Sequence, residues 1–325
     1  QSFFNTTALP EKTLYTVSLW TGIFVIISFV LSIINQVYYA YQKAAITSAI
    51  NIANNILLLV IIYYLTLRPE HDLIYFVYAF GFSMVVSRLF FTAIFFFKKK
   101  ELIPRLRFFK KNKVKSITNL GIKFFVIQIC KIFGFSLSNF LITKLLGPEY
   151  VRTYDVIFKI VNFSLMLQTL ILTPLWSAYT DAYIKRDYTW IKSTFYKTCK
   201  LSALMCVGLF IIPLFLDDLV LLWMHIRLEY TQMFLWLVII YHVIILYVND
   251  FCMLLNGISK IHLQMYMWII AAIIIIPSVY GLVVYFHFNI EAIIGAMIIS
   301  IVFLFISLPI EIILLFRKWN VKNGG

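Results

Sequence analysis

The sequence predicts an all-α integral membrane protein with about nine transmembrane helices. Two observations carry this. Hydrophobic side chains make up 62% of the 325 residues and charged ones 13%, with a mean hydropathy of +0.91; a soluble domain has about 45–50% and about 25%. The apolar residues also fall into continuous runs whose connectors are alternately rich and poor in Lys and Arg. Such a composition excludes a soluble globular domain. It also excludes a disordered chain, which needs low hydrophobicity, and a disulfide scaffold, which needs far more than 4 cysteines.

A spanning helix needs about 20 mostly apolar residues. The first run, 13–34, follows Lys12 and ends at an expected turn holding Asn35 and Gln36. The second, 46–66, follows Lys43 and ends before Arg68; the third, 73–97, stops at Lys98. The fourth, 120–144, leaves a basic block and ends before the segment LLGPE. Runs five to nine are 153–178, 199–216, 232–254, 263–286 and 291–316. Continuous runs favour helices over the alternating strands of a barrel. Pro174, Pro213, Pro277 and Pro309 fall inside runs, where each removes a backbone hydrogen bond and tends to kink its helix. Residues 1–12 are polar and lack the basic start of a signal peptide.

Taking the connectors alternately, one set holds Lys43, the blocks 98–115 and 185–200, Lys260, Arg317, Lys318 and Lys322, 19 basic residues in all. The other holds Lys12, Arg68, Arg152 and Arg227, only 4. Cationic loops stay on the cytoplasmic side, so the C-terminus is predicted inside and residue 1 outside. The block 98–115 mixes Lys and Arg with Phe108 and Phe109, a pattern also found in nucleic-acid patches. Between two spans it reads as a topology determinant that interacts with anionic lipid, and no nucleic-acid partner is expected. The stretch 181–200 places Ile184, Tyr188, Ile191 and Phe195 at helical spacing with Lys185, Lys192 and Trp190 around them. That pattern suits an amphipathic helix in the inner interface, or an ordinary cationic loop with belt aromatics.

Five basic residues lie within spans: Arg88, Lys123, Lys131, Lys144 and Lys159. A charge at the bilayer centre costs about 2.5–3.5 kcal/mol on insertion scales, so it faces protein or water, or snorkels from near an end. Lys131 is mid-span, and Lys159 follows Asp155 by one turn, the favourable orientation for an i,i+4 pair. Two compatible readings stand: Asp155 and Lys159 neutralise each other, and Lys131, Lys159 and Arg88, with Lys123, make a cationic cavity that holds an anion. Asn51, Asn55 and Asn139 either line that cavity or join helices. Asp250, near Asn249 and Asn256, is a candidate for proton or cation coupling, and Asp155 for charge balance.

No catalytic constellation, cofactor motif or metal-ligand spacing is present. The five histidines are scattered, including His242 in mid-span and His287, and the cysteines read as free thiols inside or beside spans. The longest outer connector, about 217–231, is too short for an external catalytic domain, so an enzyme is not expected.

The segment LITKLLGPEYVRTYDVIFKIVNFSLMLQTLILTPLWSAYTDAY (141–183) resembles the seventh-to-eighth helix region of O-antigen and polysaccharide flippases, members of the multidrug/oligosaccharidyl-lipid/polysaccharide exporter superfamily. INQVYYAYQKAAITSAINIANNILLLVIIYYL (34–65) is similar to that family's fourth-to-fifth helix hairpin. The resemblance implies a transporter of twelve or more helices in two lobes. On that plan 1–97 is the second half of the first lobe, 98–116 the basic cytoplasmic linker and 117–325 the second lobe, with three helices expected before residue 1. It further implies a flippase that moves a polyprenyl-pyrophosphate-linked oligosaccharide, an O-antigen or polysaccharide repeat unit, from the inner to the outer leaflet of a bacterial plasma (inner) membrane by alternating access, its cationic cavity drawing the pyrophosphate. Membrane lipids, a polysaccharide polymerase and chain-length machinery are the implied partners. The alternative is a cation-coupled multidrug or metabolite antiporter of the same superfamily, for which deep acidic residues are expected.

Overall fold

The computed structural model describes residues 11–67, 73–105, 107, 110–147, 149–286 and 288–323. Arg68, Phe108, Phe109, Pro148 and His287, used in the sequence reading, lie outside this set, as does most of residues 1–12. Among the described residues every regular element is helical: α1 (Glu11–Leu31), α2 (Ile33–Ala40), α3 (Ala44–Thr66), α4 (Leu73–Lys98), a 3₁₀ turn (Lys100–Leu102), α5 (Lys111–Leu145), α6 (Glu149–Ile184), α7 (Tyr188–Met224), α8 (Gln232–Gly257), α9 (His262–Val284) and α10 (Ile290–Asn323). Nine of the segments they form are long and apolar enough to cross a membrane. In hydrocarbon the helix is the element that satisfies every backbone group within its own segment.

The first span is longer than expected. It runs from Lys12 to Ala40, with α1 and α2 meeting at Ser32. Asn35 and Gln36, expected in a turn, are therefore helical. Ser32 bends the chain locally, its hydroxyl donating to the Phe29 carbonyl at 2.6 Å. The expected interfacial helix over 181–200 is also corrected. α6 continues through Ile184, the chain turns at residues 185–187, and α7 starts at Tyr188. Asp187 caps the new helix by accepting the Trp190 amide at 2.9 Å. Ile191 and Phe195 are buried while Ile184 is exposed, so the apolar face is divided between two spans rather than laid along a surface. With 36 residues, α6 is roughly 54 Å long at 1.5 Å per residue, against a hydrocarbon core of about 30 Å.

The chain divides into two compact units, Gln1–Phe109 and Lys110–Gly325. In the first, α4 packs between α1 and α3, and α2 adds to α3. Gly81 lets α1 and α4 approach, since a Cβ there would fall on the Phe24 ring. Ile34, Tyr38, Ile50 and Phe95 form a small buried core. In the second unit α8 is central, packed against α6, α7 and α10, while α9 joins α10 to α5. Gly257 permits the close α6–α8 approach: a Cβ there would stand 2.5 Å from Tyr179 Cβ, and its carbonyl accepts Thr180 Oγ1 at 2.7 Å.

The LLGPE segment has a backbone reason. Gly147 ends α5 with φ of +118°, a conformation open to glycine, and its N–H returns to the Ile142 carbonyl at 3.1 Å. The four prolines lie inside α6, α7, α9 and α10 as read from the sequence.

Candidate functional site

The second unit holds a buried polar node at the junction of α6, α7 and α8. Asp250, Gln168 and Ser202 are each 1% exposed. Ser202 Oγ donates to Asp250 Oδ2 at 2.7 Å, and Gln168 Nε2 lies 3.4 Å from Asp250 Oδ1. Gln168 Nε2 is also 2.9 Å from Ser202 Oγ and 2.8 Å from the Leu246 carbonyl. Its Oε1 accepts from Asn249 Nδ2 at 3.2 Å. Polar groups removed from water are costly unless bonded, so three apolar helices meet where these residues can pair. Asp250 makes no ion pair: among the described residues these are Lys99–Glu101 and Lys185–Asp181. The carboxyl is thus held by neutral donors alone.

Sequence reasoning identified Asp250 and Asn249 but missed Gln168 and Ser202, whose signal was only a polar residue amid an apolar run. Asn256 is not part of the node; its Oδ1 is buried without a hydrogen-bond partner.

The basic residues have separate surroundings. Lys131 lies over Trp268, its Nζ 4.9 Å from the ring centroid, a cation–π contact. It borders a hollow of about 30 Å³ with Cys130, Gly134, Tyr241, Met297 and Ser300 among its walls. Room of that size suits one or two waters, and neither Lys123 nor Lys159 lines it. Lys123 Nζ is 2.9 Å from His262 Nε2, and Lys159 is exposed. The expected Asp155–Lys159 pair is not formed; Asp155 instead accepts from Asn139 Nδ2 at 3.2 Å. The side chain at i+4 is therefore not the partner that packing selects. Lys144, in the last turn of α5, lies over Phe140 at 5.8 Å.

In the first unit Arg88 Nη1 donates to the Ser28 carbonyl at 2.7 Å, bridging α4 to α1. Arg88 and Asn51 share a cavity of about 10 Å³ with Asn54 and Ser87. Asn55 is exposed and lies 3.4 Å from Asn54 through their side chains. His242 is fully buried; its Nδ1 is 2.8 Å from the Val238 carbonyl and its ring stacks edge-on against Phe158. All four cysteines are free. Among the described residues no three His, Cys, Asp or Glu side chains gather as a metal site would require.

Comparison with known proteins gives this geometry a context. Residues 124–280 match the MatE family model, a segment that includes Gln168, Ser202 and Asp250. No curated protein matches the chain. A crystal structure of a MATE protein in a bent conformation is similar over 100% of this chain and 74% of its own, with TM-score 0.79 and 15% identity. A MATE protein in complex with MaL6 is similar over 98% and 73%, with TM-score 0.75 and 17% identity. An outward-facing multidrug resistance MATE family transporter of the MOP superfamily is similar over 96% and 79%, with TM-score 0.64 and 16% identity. The chain therefore has the all-helical, multi-pass membrane fold of the MATE transporter structures.

Proposed function

We propose that the protein is a secondary transporter of the MatE family that exports a cationic or amphipathic small molecule in exchange for protons or a monovalent cation. The single observation that carries this reading is the Asp250 node. A carboxyl enclosed by a helix bundle, bonded only to Ser202 and Gln168 and without a basic partner, changes its charge by exchanging a proton or small cation. That exchange is the elementary step of coupling, and buried ionisable groups of membrane helices typically mark such pathways. The MatE match over α6, α7 and α8, and the multidrug description of one structural neighbour, support the same reading. The activity is transport without covalent chemistry, in the plasma membrane, with the lysine-rich connectors and the C-terminus on the cytoplasmic side.

The oligosaccharide-flippase branch has less support. It needs buried cations that converge on a pyrophosphate, whereas within the second unit Lys131 sits against Trp268, Lys123 against His262, and Lys159 is exposed. The family match is to MatE, and one structural neighbour is described as a multidrug resistance transporter.

The test is transport in proteoliposomes of the full-length protein under an imposed pH or Na⁺ gradient, with a cationic fluorescent dye as cargo. Gradient-dependent accumulation is expected. The reading is overturned by dye movement indifferent to both gradients, together with loss of surface polysaccharide in a gene-deletion strain that wild type restores but Lys131→Ala and Lys159→Ala do not.

A further inference from the structure

The first unit carries a second site, remote in sequence from the Asp250 node and not used by the coupling step. A cavity of about 420 Å³ opens at the end of the unit where α2 turns into α3 and α4 ends, within the range of about 300–1,000 Å³ of small-molecule sites. Its lining combines two chemistries. Lys43, Lys98 and Lys99 stand at its rim, and Tyr38, Tyr41, Phe91, Ile94 and Phe95 form an apolar wall.

The wall is rigid. Tyr38 and Phe95 are buried and meet edge-on at 5.4 Å, and Tyr41 meets Phe95 at 5.6 Å. Tyr38 donates its hydroxyl to the Phe91 carbonyl at 3.1 Å, pinning α2 to α4. The floor is kept open by Ala45 and Ala49 of α3. The rim is cationic and under-neutralised. Of these three lysines only Lys99 has an acidic partner among the described residues, Glu101 at 3.9 Å, with both side chains exposed. Among the described residues Lys43 and Lys98 have none within ion-pair distance. The 23-residue α3 starts here, and no side chain caps its first amide groups, which adds the positive end of a helix dipole.

We propose that this cavity binds the headgroup of an anionic phospholipid, its phosphate against Lys43, Lys98 and Lys99 and the top of one acyl chain against the Phe91–Phe95 wall. A free phosphate would satisfy the rim but leave the apolar wall wet; a zwitterionic lipid would bring its own cation to the lysines. The cavity lies at the ends of spanning helices, where headgroups are found, and basic hollows between such helices are suited to anionic lipid. Lys98 and Lys99 are the last residues before the connector that leads to the second unit, so an occupied site anchors the start of that connector.

The experiment uses the full-length protein in phosphatidylcholine nanodiscs doped with phosphatidylglycerol, and counts lipid retained per protein by native mass spectrometry. One phosphatidylglycerol is expected to be retained in preference to phosphatidylcholine. At about 1 kcal/mol per basic contact, the triple variant Lys43→Ala/Lys98→Ala/Lys99→Ala loses roughly 100-fold of that preference. Ala45→Trp, which fills the cavity and keeps every lysine, is expected to lose the same lipid. The control Lys110→Ala/Lys111→Ala keeps it. Size-exclusion profiles and helical circular dichroism establish that each variant is folded. The proposal is overturned if Ala45→Trp still retains the lipid, or if the control loses as much as the triple variant, since either result means diffuse attraction without a seat. It is equally overturned if inorganic phosphate at matched concentration displaces the phosphatidylglycerol, which makes the site one for free phosphate.

Discussion

Asp250→Asn separates coupling from folding. In wild type the carboxylate accepts the short bond from Ser202 Oγ at 2.7 Å and faces Gln168 Nε2 at 3.4 Å. Asparagine keeps one oxygen, which the Ser202 hydroxyl can still use, and turns its amide nitrogen toward Gln168. Gln168 remains satisfied, because its Nε2 keeps the Leu246 carbonyl at 2.8 Å and Ser202 at 2.9 Å. The one orphan is the new amide, a cost of about 1–3 kcal/mol, and about 0.6 kcal/mol is the average for hydrogen bonds between membrane helices. The bundle should therefore fold, with a small loss of thermal stability. The loss of coupling is total, because the side chain has no charge left to exchange. A gradient of two pH units stores about 2.7 kcal/mol per proton, enough for about 100-fold accumulation of cargo. In proteoliposomes, wild type should approach that accumulation and Asp250→Asn should stay near unity, while both exchange labelled for unlabelled cargo without a gradient. If Asp250→Asn accumulates cargo as wild type does, the coupling role assigned to this node is wrong.

Three other perturbations follow from the same structure. Gly257→Leu should part α6 from α8, since even a Cβ stands 2.5 Å from Tyr179 Cβ and 3.3 Å from the Trp176 carbonyl; a loss of at least about 1–3 kcal/mol is expected for such overpacking, read by thermal unfolding in detergent. Gly147→Ala places a side chain at φ of +118° against the Glu149 carboxylate and should cost about 1–2 kcal/mol or more, whereas Gly121→Ala inside α5, where a Cβ meets nothing within 4 Å, should lose nothing and gain up to about 1 kcal/mol. Tyr230, in the connector before α8, donates to Asp217 Oδ1 at 2.7 Å; burial first, then that carboxylate, pushes its hydroxyl from the ordinary 10.0 up to about 12. A raised value means the contact stabilises fully below pH 10 and is lost as pH climbs toward 12, so Tyr230→Phe should narrow the alkaline stability gap to wild type over that window.

The mid-span lysines show where reading along the chain stops. Their depth was legible, because hydropathy is a property of one segment. Their partners were not. Asp155 and Lys159 have the spacing of a helical pair, yet Asp155 takes Asn139 from the neighbouring helix and Lys131 takes an aromatic face of α9. The stretch 181–200 fails in the same way: an amphipathic period fits a surface helix, but here a turn at 185–187 divides it between two spans. Asp250 was visible as an acid in a span. Nothing along the chain tied it to Gln168, 82 residues away, or to Ser202, 48 away.

The sequence by itself determined that the described residues form helices, that nine of their segments are long and apolar enough to span a membrane, and that the basic residues favour alternate connectors. Hydrocarbon imposes those rules one segment at a time, through length, apolarity and internally satisfied backbone bonds. Only the tertiary structure decided which polar side chains share a buried node and which partners Lys123 and Lys131 take. Such pairing depends on crossings between helices far apart in the chain, and two small residues, Gly81 and Gly257, mark where those crossings come close.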